Sequence, residues 1–296
     1  MENIFQQNAR QRLAAFGVFA LVLMVAFLKP LIGLMRFSIE YEMASHVLLI
    51  PFISFYLVWP RRKELALKIT ASPRLAILPL GLGLLLILGY WAGSHSGWQP
   101  KESDYLASSI LAFLLFFIAG CVLFFGEKVM RAVAFPAAFL IFMVPLPTFL
   151  ADWISLFLQH TSAEVANVLL QLSGTPFFRN GLTFQLPGIV LQVAQECSGI
   201  RSSLVLLISS LLAGQLFLRT PWKKALFAFA VIPLGILRNG FRIFTIGMLC
   251  VHVDPSMIDS PLHRRGGPFF FVLSLVPFFL LLLWLRKTEK NLRIQN

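Results

Sequence analysis

A cysteine stands in a short polar stretch, Gln195-Glu196-Cys197-Ser198-Gly199-Ile200-Arg201-Ser202-Ser203, with apolar sequence on either side. Cys197 lies just ahead of an apolar run that opens at Ile200. Backbone N–H groups in the first turn of a helix favour an anion, so a thiol there is drawn toward its thiolate, the nucleophilic form. Gly199 allows a substrate backbone to approach closely. The chemistry on offer is covalent attack on a carbonyl. The same residues also fit a small buried cysteine at a helix start, with Glu196 and Arg201 wetting an interface. The island alone leaves both readings open.

Two further islands follow, Arg238-Asn239-Gly240-Phe241-Arg242 and His263-Arg264-Arg265-Gly266-Gly267. Arg238 and Arg242 stand at i and i+4 and share a helix face, with Asn239 beside Arg242. A guanidinium on that face can hold a tetrahedral oxyanion or a substrate carboxylate. A single arginine near a helix end usually snorkels to headgroups. A pair with an asparagine is better accounted for by a polar cavity, since intramembrane ions face bundle interiors. His263 offers an imidazole, provided it comes within hydrogen-bond reach of the sulfur. His252 and His160 compete for that role, whereas His46 and His95 read as structural. Cys121 and Cys250 sit in apolar runs and read as packing; 3 cysteines without paired spacing argue against a disulfide framework or a zinc site. No metal and no cofactor is expected.

The elements that must position these groups are membrane helices. The chain has 296 residues, 58% hydrophobic and 13% charged, with 30 phenylalanines. Its mean hydropathy is +0.80. A soluble domain of this size cannot cover that much apolar surface. The net charge of +12 is spread in short clusters between apolar runs, as in cytoplasmic loops, which argues against nucleic-acid binding. The expected fold is all-α: a polytopic bundle of about eight transmembrane helices. The spans are Leu13–Met35 with a kink at Lys29-Pro30, Ala44–Trp59, Leu75–Trp91, Tyr105–Phe125, Ala132–Val144, Ile200–Leu218, Trp222–Cys250 and Pro268–Leu285. Between them, Asp152–Leu172 reads as an extracytoplasmic amphipathic helix, lying at the interface or covering the bundle mouth. Thr175–Val193 reads as a short β-hairpin or loop, punctuated by Gly181 and Pro187-Gly188. The first apolar segment lacks a cleavage pattern and reads as an uncleaved span. Residues 1–296 read as one membrane-embedded domain, with a polar tail over 1–12 and a basic tail over 286–296.

Lysines and arginines give the orientation. With a cytoplasmic N-terminus, the clusters at Arg10 and Arg12, Arg61–Lys63, Lys128 and Arg131, Arg219–Lys224 and Arg286–Arg293 all fall inside. Both termini are then cytoplasmic, and Cys197, Arg242 and His263 reach the same extracytoplasmic side. From Trp222, about 20 residues at a 1.5 Å rise carry Arg242 roughly 30 Å, to the outer interface.

Glu196-Cys197-Ser198-Gly199-Ile200-Arg201, then Asn239-x-x-Arg242, then a histidine in the next outer loop, together resemble the exosortase/archaeosortase family. Leu172-Ser173-Gly174-Thr175-Pro176 with Gly181-Leu182-Thr183-Phe184 resembles that family's approach to its cysteine, and Ser45-His46 through Trp59 and Arg61-Arg62 resembles its second span. The resemblance covers most of the chain. It implies a membrane cysteine peptidase and transpeptidase of the bacterial cytoplasmic membrane. Its substrates are exported proteins with a C-terminal sorting tail: a short motif, Pro-Glu-Pro in many bacterial cases, one membrane helix and a basic end. By that analogy Cys197 attacks the scissile carbonyl and forms a thioester. Arg242 stabilises the oxyanion or orders the site, and His263 is the base. Glu196, Ser198, Gly199, Arg201, Arg238 and Asn239 bind substrate or support the site. The acyl group passes to an unknown surface acceptor or to water. Bacterial members are often associated with exopolysaccharide production. The expected partners are the tail and membrane lipids, with no nucleic acid.

Three other classes compete. A transporter or flippase for an anionic lipid or sugar phosphate would use the outer arginines and leave Cys197 incidental, but no repeat or matched pair of broken spans is evident. A membrane glycosyl- or phosphotransferase would need outer acids, and only Asp254, Asp259 and Glu196 serve. A rhomboid-type serine protease would need a histidine paired with Ser198 within the membrane.

Overall fold

The computed structural model describes residues 2–41, 44–66, 69, 72–260, 262 and 267–294. The chain is mostly helical with one small antiparallel sheet, and it falls into two compact units, Met1–Thr148 and Phe149–Asn296.

In the first unit, α1 (Glu2–Ala26) and α2 (Leu28–Glu40) meet at Phe27 with a 70° bend. The sequence places a kink at Lys29-Pro30. The break falls just upstream because the Pro30 ring displaces the carbonyl four residues before it, at Ala26. The path then runs through α3 (Ile50–Val58) and α4 (Arg62–Ala66), with 3-10 turns at Val47–Leu49 and Trp59–Arg61. Next, α5 (Pro73–His95) and α6 (Glu102–Phe125) form a helical hairpin. Helix α6 is the centre of this unit, with Ile110 and Ala112 wholly buried. Short helices α7 (Glu127–Ala132) and α8 (Ala134–Phe139) follow, then a 3-10 turn over Leu140–Met143. The Asp104 carboxylate in the first turn of α6 accepts from the Thr148 N–H at 2.7 Å and from its hydroxyl at 3.0 Å.

Helix α9 (Thr148–Leu172) starts on the last residue of the first unit and otherwise belongs to the second. Its buried face is small or polar: Ser155, Gln159, Ser162, Ala163 and Ala166 point inward with Leu158 and Leu170. Trp153, Leu156, Phe157 and Val168 point outward. A helix is present where the amphipathic one is expected, but its exposed side mixes these apolar residues with Asp152, His160, Glu164 and Gln171. After the sheet come α10 (Ile200–Phe217), α11 (Pro221–Phe229), α12 (Val231–His252), a 3-10 turn over Pro255–Asp259 and α13 (Gly267–Ile294).

Where a hairpin is expected there is a three-stranded meander: β1 (Phe178–Asn180), β2 (Thr183–Leu186) and β3 (Ile189–Gln192). Pro187-Gly188 makes the second turn, with Gly188 at φ 79°, a value that suits glycine at this place. Period-2 alternation then buries Phe184, Leu186 and Leu191 and exposes Gln185, Val190 and Gln192. The buried set packs on Ala163, Ala166 and Leu170 of α9 and on Ile243, Phe244, Met248 and Val251 of α12. A second apolar cluster, built on Leu206, Phe227, Val231 and Phe278, sits at the other end of α12. There the Glu289 carboxylate accepts from the Arg219 and Thr220 N–H groups, which brings the α10–α11 corner and the end of α13 together.

Among the described residues, five helices are long and apolar enough to cross a membrane, or up to seven if each of two bent pairs is one span. Leu13–Met35 enters only as the bent pair α1–α2, and the rest of the difference from eight lies at Ala44–Trp59, in neither count, and Ala132–Val144, which enters only when joined to α9. There α3 has 9 residues and α8 has 6, each flanked by 3-10 turns. At 1.5 Å per residue neither α-helix alone reaches the roughly 30 Å of a hydrocarbon core.

Candidate active site

Cys197 ends a single 3-10 turn, Gln195–Cys197, that links β3 to α10. Its N–H donates to the Ala194 carbonyl at 3.0 Å. Gly199 then takes φ 77° and ψ 11° and starts α10. A left-handed residue here lets the chain turn from the 3-10 segment into the helix within one step. The approach to the turn is held by Gln195, whose side-chain amide donates to Asp152 of α9 at 2.8 Å.

Three consecutive carbonyls of this loop point at α12. Asn239 donates its amide N–H groups to the Cys197 carbonyl at 2.8 Å and the Ser198 carbonyl at 3.2 Å. Arg238 donates through Nη2 to the Gly199 carbonyl at 3.3 Å and to the Ser203 hydroxyl at 3.4 Å. Arg238, Asn239 and Ser198 are 8%, 3% and 1% exposed, so the clamp is dry. Hydrogen bonds in such surroundings are stronger than in water, and unmet carbonyls costlier. The fit is close: a Cβ on Gly199 would stand 3.2 Å from Arg238 Nη2 and 3.3 Å from the Asn239 carboxamide. Arg238 Nη1 is buried and has no hydrogen-bond partner among the described residues.

Cys197 itself is half-buried, and so is Arg242. Both line one small cleft with Asn239, in which Leu191, Val193, Ile243 and Ile246 supply apolar walls. The free volume is ≈ 30 Å³, about one water's share. The cleft lies at the end of α10 away from Arg219, since 18 helical residues rise about 27 Å. A thiol, a guanidinium and an apolar wall can together support acyl transfer, with the cation set to meet developing negative charge.

The structure thus brings together Cys197, Ser198, Gly199, Arg238, Asn239 and Arg242. Arg201 is exposed in the first turn of α10. His263 and the Glu196 side chain lie outside the described residues. The alternative bases His160 and His252 are both exposed. Among the described residues no group of histidines, cysteines and acids could hold a metal ion. The cleft walls from β3, and the tie between Asp152 and Gln195, were not anticipated. Neither leaves a mark in the sequence, because each depends on contacts between distant segments.

The sequence profile of the transmembrane exosortase (EpsH) family matches residues 39–280. No curated protein and no solved structure matches the chain. The profile covers most of the chain and includes all of the clamp and the cleft, so the protein belongs to the transmembrane exosortase family.

Proposed function

We propose that this chain is a membrane cysteine transpeptidase that cleaves C-terminal sorting tails from exported proteins. The observation that carries the reading is Cys197 and Arg242 lining one cleft in a chain of this family. Cys197 Sγ, as thiolate, attacks the scissile carbonyl. Arg242 stabilises the oxyanion of the tetrahedral intermediate. The C–N bond then breaks, the departing amine takes a proton from the base, and a thioester remains on Cys197. His263 is the proposed base and acid, taking the thiol proton and handing it to that amine. An acceptor nucleophile on the cell surface, or water, next attacks the thioester and frees the thiol. Arg238 and Asn239 touch no reacting atom in this scheme; they position the loop that bears the nucleophile. The site faces the extracytoplasmic side of a bacterial cytoplasmic membrane with both termini inside. The proximity of Arg219, Thr220 and Glu289 supports one common side for those loops. The family match crosses residue 148, which supports one membrane-embedded domain over 1–296.

The test is co-expression with an exported fusion ending in a Pro-containing motif, an apolar helix and an Arg-rich end. The wild-type chain shortens the fusion, and Cys197→Ser leaves it intact. Unchanged shortening by Cys197→Ser would refute the peptidase reading; a transport role, in contrast, survives that substitution.

A further inference from the structure

The sheet ends on an open edge beside the nucleophile. Strand order β1-β2-β3 leaves one side of β3 without a neighbouring strand. The bonding phase of that strand is fixed by the Val193 N–H donating to the Leu182 carbonyl at 3.0 Å. Bonded and unbonded pairs alternate along an antiparallel ladder. With Phe184 opposite Leu191 and Leu186 opposite Ile189, residues 189, 191 and 193 bond back to β2. The N–H and C=O of Val190 and the N–H of Gln192 therefore point away from it. The Gln192 carbonyl already accepts from the Ala194 N–H at 3.0 Å. Among the described residues the other three groups have no partner. Val190 is 59% exposed.

An open edge with unmet donors and acceptors is a template for another strand. Here the edge is also one wall of the cleft: Leu191, Gln192 and Val193 face Arg242, Ile243 and Ile246 of α12, with Cys197 between the walls. From the proposed function we infer that the tail segment flanking the scissile bond binds as a fourth strand, added to β3. Main-chain bonds to Val190 and Gln192 hold the segment extended and deliver its carbonyl to Cys197. Recognition through the main chain tolerates varied side chains, and the cleft wall of α12 reads those that turn inward.

Val190→Pro tests this. It removes an outward N–H and leaves the β2–β3 bonds in place, a position where edge strands accept proline. In membranes holding the full chain and the tail-bearing fusion, shortening should slow roughly 3- to 10-fold, the worth of one lost hydrogen bond. Alkylation of Cys197 by iodoacetamide should stay at the wild-type rate, which reports an intact loop. Wild-type shortening by Val190→Pro overturns strand addition and leaves the peptidase reading standing. Unchanged shortening by Cys197→Ser overturns both. Should the proline also disturb alkylation, amide exchange in the Cys197→Ser chain decides. With saturating fusion the Val190 and Gln192 amides slow while Leu191, already bonded to β2, does not change. No slowing at Val190 and Gln192 overturns the inference.

Discussion

Gly199→Ala probes the clamp behind the nucleophile, and its cost has two separable parts. The native φ of 77° is left-handed, which costs an L-residue roughly 1–2 kcal/mol. The new methyl would also stand 3.2 Å from Arg238 Nη2 and 3.3 Å from Asn239 Cγ and Oδ1. Both side chains are buried and bonded to the loop, so they give way only by loosening those bonds. At roughly 0.5–1.5 kcal/mol each, partial loss of two adds about 1–2 kcal/mol. The expected total is about 2–4 kcal/mol of local stability. Gly174→Ala is the matched control: φ is 71° and nothing lies within 4 Å of the added Cβ, so it pays the backbone part alone. Amide exchange reads the difference. The Ser203 N–H bonds the Gly199 carbonyl at 3.0 Å and reports opening of the first turn of α10. Its exchange should quicken roughly 30-fold to several-hundred-fold in Gly199→Ala. Tail shortening should fall with it. The reasoning fails if Ser203 speeds up no more than the Gly174 turn does in its own variant, with shortening at the wild-type level.

Asn239→Asp should be worse than Asn239→Ala, although it is closer in shape. It sets a carboxylate oxygen against the Cys197 and Ser198 carbonyls where an N–H now donates, whereas alanine only leaves them unmet, at about 1–3 kcal/mol. Shortening assays on both variants rank them, and a more active aspartate would contradict the clamp. Gly240→Ala places a methyl 2.5 Å from the Val165 side chain and 2.9 Å from the Ser162 carbonyl, wedging α12 from α9. A loss of at least about 1–3 kcal/mol in denaturant unfolding of the purified chain is expected. Asp254 accepts from the Ser256 side chain and from its N–H, which hold its carboxyl below the ordinary value of 3.8. A depressed folded value means the Pro255–Asp259 turn keeps this support above 3.8 and loses it as pH falls through the lowered value. Amide exchange at Met257 across that range should show the loosening, and Ser256→Ala should move its midpoint upward.

The long apolar runs were legible because one physical signal, hydrophobic length, sets them; α5, α6, α10 and α13 lie where the sequence places them. Shorter runs were less so. Hydropathy over Ala44–Trp59 is the same whether the backbone is α-helical throughout or interrupted by 3-10 turns, and Pro51 and Pro60 favour the interruption. The cysteine island and the Arg238–Arg242 face were visible from residue type and spacing. What Arg238 does was not. An i,i+4 pair reads as two equivalent cations, yet Arg238 faces back to the Gly199 carbonyl while Arg242 faces the cleft. That division follows from where the 3-10 turn docks against α12, a contact across about 40 positions that carries no local pattern. The polar residues of α9 were conspicuous, but residue type does not say which way each points: Ser155, Gln159 and Ser162 are buried, while Asp152, His160, Glu164 and Gln171 are exposed.

Helix α12 carries Asn239 for the loop, Arg242 for the cleft and Ile243, Phe244, Met248 and Val251 for the sheet. Ile232, Leu237 and Phe241 of the same helix are exposed. The helix is therefore forgiving of composition and intolerant of length. Exchanging one apolar residue for another at 232 or 237 leaves every working contact in register. Inserting a single residue between Gly240 and Arg242 turns everything beyond it by about 100°. The hydropathy would barely change, but the arginine would leave the cleft and the sheet would lose its seat while the clamp stayed behind. Drift in this segment is thus expected in the identity of its outward residues, with their number held fixed from Arg238 to Val251.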